Sequence, residues 1–233
     1  MNRNARELTG TLSRMVLASA SAVLLVATAC GGPRPETEVS RAIVDKDDQA
    51  LARLLKEGRS PDQGAPPPIV WAARTGNAPA IALLVAGGAD PNRPDGQNRW
   101  TPLQHAVHKR EAKAVAALLN AGADPNLGSA QGPSALMMAA GYGDRESFDL
   151  LLKGGANASF EVQPGINALW AALGGGALVD ITDGPRLGSC FPEIVAAMKR
   201  QAPGLRIRKD GETRFLRFFA APGCGALIEA SVG

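Results

Sequence analysis

The sequence predicts an all-α fold, a solenoid of stacked helix–turn–helix units. Three observations predict it. One wording recurs four times: Leu83–Asn92 (LLVAGGADPN), Leu118–Asn126 (LLNAGADPN), Leu151–Ser159 (LLKGGANAS) and, more worn, Leu54–Asp62 (LLKEGRSPD). An alanine-rich helical turn precedes it, as in Trp71-Ala72-Ala73, His105-Ala106-Val107 and Met138-Ala139-Ala140. The spacing is nearly constant in the thirties, a period that marks stacked supersecondary units rather than one globular core.

The first helix of each unit is anchored at Thr37, Pro67, Thr101, Ser134, Asn167 and Thr213, at intervals of 30, 34, 33, 33 and 46 residues. Ala72, Ala106, Ala139 and Ala172 fall where neighbouring helices approach too closely for a larger side chain. In the second helices Val115, Leu118 and Leu119 share one face at helical spacing, as do Phe148, Leu151 and Leu152. Gly58, Gly88, Gly122 and Gly155 follow these helices, where a left-handed residue ends a helix. Asp90, Asp124 and Asn157 then suit turns closed by local side-chain to backbone hydrogen bonds. No unit buries its apolar face alone, so stability rests on stacking.

The run Thr101-Pro102-Leu103-Gln104-His105-Ala106, the LL pair of the second helix and the GADPN turn together resemble the ankyrin repeat. The resemblance covers roughly Thr37 to the last residue. It is strong in the third unit, good in the second and fourth, and degenerate in the first, fifth and sixth. It implies helix pairs joined by short β-finger loops, and a protein-binding rather than a catalytic role. The family's TPLH histidine is replaced by Val70, Gln104, Met137 and Trp170, which predicts that a polar ladder between neighbouring helices is mostly lost. The finger Arg59–Pro66, which leads into unit two, is short and proline-rich. The long interval holds about fourteen extra residues, an insertion near 177–190, between the two helices of unit five. Loops of that length are often functional. The last unit is an atypical cap.

The first 29 residues stand apart from the repeats. Arg3, Arg6 and Arg14 precede the apolar stretch Met15–Ala27, too short to span a bilayer but suited to a secretory signal. The segment ends Ala27-Thr28-Ala29-Cys30, which resembles a bacterial lipobox with alanine in place of its usual leucine. This implies removal of residues 1–29, acylation of Cys30 and a lipidated tether over 30–36, ahead of a repeat domain over 37–233. Two or more acyl chains give stable anchoring. Gly31 rather than aspartate after the cysteine implies delivery to the outer membrane, periplasmic face. An ordinary secretory signal is the alternative.

Losing the signal removes three arginines and one glutamate, so the net charge of +3 falls to +1. There is no basic stripe, which argues against nucleic acid as a partner. Two cysteines remain, Cys190 and Cys224. In an ankyrin stack the turns that hold them lie side by side, so an exported chain invites a disulfide there, the alternative being two free thiols. Closing that loop contributes about 3–4 kcal/mol in the chain-entropy model.

The residues offer little chemistry. His105 and His108 are the only histidines, with no cysteine or acid in register to complete a metal site. His105 takes a core leucine position, and His108 a position expected to be exposed. There is no G-x-S-x-G, and Gly174-Gly175-Gly176 lacks the Lys-Ser/Thr of a phosphate loop. Asp180, Asp183 and Glu193 match no EF-hand spacing. No cofactor, metal or catalytic residue is expected, and the domain is expected to be monomeric.

By the resemblance, the finger tips and the concave face of the first helices grip a protein partner. Carried over by register, these positions are Arg74, Thr75, Gln97, Asn98, Trp100, His108, Lys109, Gln131, Tyr142 and Ile166. Trp100 is the leading candidate as an exposed hot spot; the alternative is that it folds back over Arg99. Two function classes follow: an envelope-tethered interaction module acting as scaffold, inhibitor or protector, an immunity-type role included, or a ligand-binding or enzymatic function built on the 177–190 insertion and the cap.

Overall fold

The computed structural model describes residues 34–97, 99–128, 132–175, 189–207 and 223–233. The signal segment 1–29, Cys30, Asn98, Gln131, the insertion over 176–188 and the helix anchored at Thr213 lie outside the described residues.

Helices alternate between two layers. The first-helix layer holds α1 (Glu38–Val44), α3 (Pro68–Arg74), α5 (Pro102–His108), α7 (Ala135–Tyr142) and α9 (Ala168–Gly174). The second-helix layer holds α2 (Asp48–Lys56), α4 (Ala78–Ala86), α6 (Ala112–Asn120), α8 (Arg145–Lys153) and α10 (Pro192–Gln201). Each helix packs on its hairpin partner and on the equivalent helix of the next unit. Helices of two or three turns are not stable alone in water, so this packing makes them.

The anchor residues explain why each first helix starts where it does. The side chains of Thr37, Thr101, Ser134 and Asn167 accept hydrogen bonds from the backbone N–H three residues on, satisfying donors that a helix start leaves open. At Thr101 the cap is reciprocal, since Gln104 Oε1 also accepts from the Thr101 N–H. Pro67 caps nothing with its side chain, and Pro68 supplies the preset φ of a first helical position instead.

Burial differs between the layers. All eight residues of α7 and all seven of α9 are buried, whereas α4 buries Ala80, Ile81 and Leu84, and α6 buries Ala114, Val115 and Leu118. First helices are enclosed by neighbours on both sides and by the second layer, so a small residue sits at their closest approach. Ala72, Ala106, Ala139 and Ala172 are fully buried. Trp71 and Trp170 are core residues, as their positions imply.

Two turns repeat in units one to four. After each second helix, Gly58, Gly88, Gly122 and Gly155 hold φ of 83–94°, and the next N–H closes back onto the helix, as from Ala123 to Leu118 O (2.9 Å). Between the paired helices the left-handed position is taken by Lys46, Gly76, Arg110 and Gly143, at φ of 57–67°.

The fingers carry a second ladder. Asp90, Asp124 and Asn157 each accept from the N–H two residues on, at 2.8–3.0 Å, closing the turn locally. The asparagine that follows then reaches the next unit. Asn92 accepts from the Asp124 N–H (2.8 Å) and donates to Gly122 O (3.5 Å). Asn126 accepts from the Asn157 N–H (2.7 Å) and donates to Gly155 O (3.1 Å). At the replaced TPLH positions Gln104 keeps a polar link, donating to Pro133 O (3.0 Å). Val70, Met137 and Trp170 are buried apolar residues there, as expected.

The fifth finger forms a small hairpin, β1 (Glu161–Gln163) antiparallel to β2 (Ile166–Asn167). Beyond α10, Ile207 pairs with Val232, and α11 (Gly225–Glu229) is tied back by Lys199 Nζ donating to Ala230 O. Asn167 also donates to Arg206 O (3.3 Å). Cys190 and Cys224 are joined by a disulfide with their Cα atoms 5.8 Å apart.

Candidate partner-binding face

The third finger is fixed to its own helix from inside. Asp95 accepts from His105 through Oδ2 and Nε2 at 2.6 Å, and both side chains are nearly inaccessible. The Asp95 N–H donates to Trp100 O (2.9 Å), so one residue pins both ends of the finger. Burial holds His105 below the ordinary imidazole range; the Asp95 carboxylate opposes that effect, while Arg74 and His108 add to it. A neutral ring donating Nε2–H to the carboxylate satisfies this contact.

On that base sits a chain of rings. Trp100 is half-buried, its ring 5.5 Å from His105 and 5.3 Å from His108, edge to face with the latter. His108 Nδ1 meets the Tyr142 hydroxyl at 2.8 Å. The Arg110 guanidinium covers the Tyr142 ring at 5.3 Å, and Arg74 covers Trp71 at the same distance. The chain runs from the third finger across α5 to the end of α7.

Several expected positions change place as a result. Tyr142 is 2% exposed and Ile166 is 8% exposed, so neither side chain is on the free face. Tyr142 shares the repeat position of Thr75 and Lys109, but its ring turns under Arg110 and onto His108. Ile166 lies in β2 and packs into the core. His108 is half-buried and held by Tyr142 rather than simply exposed. Trp100 does not stand free; it leans on both histidines and is half-buried. Gln97 and Lys109 are exposed. Arg74 and Thr75 are half-exposed, and the Thr75 hydroxyl donates to Trp71 O (2.9 Å).

Asp95 is the residue that sequence reasoning misses. Its signal is present: a histidine in a core slot needs an acceptor, and the acid ten residues earlier in the same finger supplies it. Among the described residues no cluster of three or more His, Cys, Asp or Glu side chains is arranged to hold a metal.

Residues 39–129 match the family model for ankyrin repeats, three copies. Over these residues the chain is similar to ankyrin repeats. Units four and five, outside the match, repeat its anchor caps and, in unit four, its glycine turns, so the fold is an all-α repeat solenoid. No curated protein sequence matches the chain. Ankyrin stacks are protein-interaction scaffolds, and they direct attention to the face that carries Arg74, Gln97, Trp100 and Lys109.

Proposed function

We propose that this chain is a non-enzymatic, lipid-anchored protein of the bacterial cell envelope whose ankyrin stack binds a protein partner in the periplasm. The observation that carries the binding role is the ring chain of units three and four: a tryptophan held by a buried Asp95–His105 pair yet partly exposed. Rigid support under an accessible tryptophan lowers the ordering cost of a contact, which is how hot spots form. Anchoring through Cys30, after removal of residues 1–29, is supported by the short apolar stretch, by the small residues before that cysteine and by the short tether after it. Among the described residues no helix is long and apolar enough to cross a membrane, so the proposed attachment is the lipid.

Crosslinking in cells followed by affinity capture tests the binding role. A single stoichiometric protein, lost or weakened about tenfold or more with Trp100→Ala, is expected. Unchanged capture by that variant removes the role of this face. Metabolic labelling with palmitate tests the anchor: Cys30→Ser is expected to lose the label and to keep residues 1–29 uncleaved, and a Cys30→Ser chain that is still labelled, or is processed and anchored like the wild type, would refute it.

A further inference from the structure

The face around Trp100 has an unbalanced charge. Arg74 and Lys109 occupy neighbouring repeat units at the ends of α3 and α5, and Arg99 stands beside Trp100 on the finger. Among the described residues none of these three has an ion-pair partner. The acids of the same units are placed elsewhere. Asp95 is buried against His105. Asp90 and Asp124 close the turns after the second helices, and Asp144, Glu146 and Asp149 belong to the start and body of α8. The one carboxylate on this rim is Glu111, which rests against Gly76.

We infer that the face formed by Arg74, Arg99, Trp100 and Lys109 receives an extended acidic segment of the protein partner, its carboxylates on the three cations and an apolar side chain against Trp100. This rests on the protein-binding role proposed above and specifies the partner's chemistry. Guanidinium groups pair with carboxylates in two-pronged hydrogen bonds, so Arg74 and Arg99 favour planar acids over other anions. Exposed pairs contribute modestly one by one. Three cations against the single carboxylate of Glu111 act together on encounter rate and on the choice of partner. Trp100 supplies the apolar contact that charge alone does not.

The test uses the full-length protein in detergent and fluorescently labelled short peptides of glutamate, leucine and glycine, with lysine and glutamine counterparts and a thymidine oligonucleotide as controls. The glutamate peptide is expected to bind at least about tenfold more tightly than the lysine and glutamine peptides. Its affinity is expected to fall as salt is raised, and to drop about tenfold or more with Arg74→Glu plus Lys109→Glu. Since neither side chain is buried, that variant keeps the melting temperature; Arg74→Gln plus Lys109→Gln serves if it does not. Equal binding of the lysine peptide, an unaffected double variant, or tighter binding of the oligonucleotide overturns the inference. The two layers of the proposal separate in cells. A crosslinked protein partner captured equally by wild type and charge-reversed variant overturns the acidic face and leaves the binding role standing. No crosslinked protein from either removes the binding role itself.

Discussion

The junctions between units two, three and four differ from the junction between units one and two by one atom type. Where the finger ends in Asn92 or Asn126, the amide both accepts from and donates to the backbone of the next unit. Where it ends in Asp62, the carboxylate can only accept. It makes neither bond: Oδ1 is buried without a partner, and Oδ2 holds Arg93 at 3.7 Å across a partly exposed pair. In a stack whose stability is a sum over neighbouring interfaces, such a substitution weakens one joint and leaves the others alone. The middle of the molecule is held by side chains that read the next unit's backbone. Its two ends use other devices: an ion pair and the Asn77–Asp48 hydrogen bond at the first joint, and a disulfide with backbone pairing at the last.

The largest effect is expected at the far end. Replacing Cys190 and Cys224 by serine removes a cross-link spanning 34 residues, worth about 3–4 kcal/mol in the chain-entropy model. Loss is expected to stay local, because the link joins only the start of α10 to the start of α11. Hydrogen exchange should show protection falling in α10 and α11 while α5 and α6 keep theirs. Equal loss across the stack would mean that the repeats unfold as one unit and that joints cannot be compared singly.

Next in size is Asp95→Ala, which strands His105 in the core and costs about 2–3 kcal/mol, the penalty for a buried polar group left without its partner. The pH dependence has a definite sign. Burial lowers the His105 pKa in the folded state, so the unfolded chain binds a proton at a pH where the folded chain does not. The histidine's contribution is therefore fully present above the unfolded value of about 6.5 and declines as pH falls below it, at up to about 1.4 kcal/mol per pH unit. Denaturant midpoints between pH 8 and pH 5 measure this. Stability that rises on acidification would show that Asp95 holds His105 as a cation.

The helix starts are legible in the sequence because capping is local: Thr101, Ser134 and Asn167 each need only the backbone three residues ahead. So are the buried alanines, which a fixed period places at every helix contact. The ring chain is less legible. Asp95 and His105 are ten residues apart, and register assigns His105 a core slot without naming its acceptor. Tyr142 has the register of an exposed residue, and only the placement of His108 and Arg110 in a neighbouring unit turns it inward. Ile166 is buried because its finger closes into a hairpin, which repeat spacing alone does not specify. Pattern thus locates backbone and apolar faces, while polar side chains find partners across units.

The joints themselves come next. Asn126→Ala removes two hydrogen bonds to the following unit and is expected to cost about 1–2 kcal/mol, with Asn92→Ala costing less because its donor reaches Gly122 O at 3.5 Å. Asp62→Asn runs the other way. It supplies the missing donor at the first joint and is expected to stabilise by about 0.5–1 kcal/mol. Urea midpoints, with exchange rates for α2 against α6 to localise the change, decide it. If Asp62→Asn destabilises, the Arg93 pair carries the first joint and the amide ladder does not explain the contrast.

The smallest effects are expected at the turns inside the units. Lys46 and Arg110 hold left-handed φ of 57° and 59° where the second and fourth units use Gly76 and Gly143. A side chain there carries roughly 1 kcal/mol of strain. Glycine relieves it but loses more freedom on folding, so Lys46→Gly should stabilise by only about 0.5 kcal/mol. Arg110→Gly relieves the same strain and also removes the guanidinium from the Tyr142 ring, a contact worth about 0.5–1 kcal/mol. Its net effect should lie near zero or slightly below. The pair thereby isolates what the arginine does: equal gains from both substitutions would mean that Arg110 does nothing for Tyr142, whereas a gain at Lys46 without one at Arg110 assigns that cation to holding the ring chain beneath Trp100.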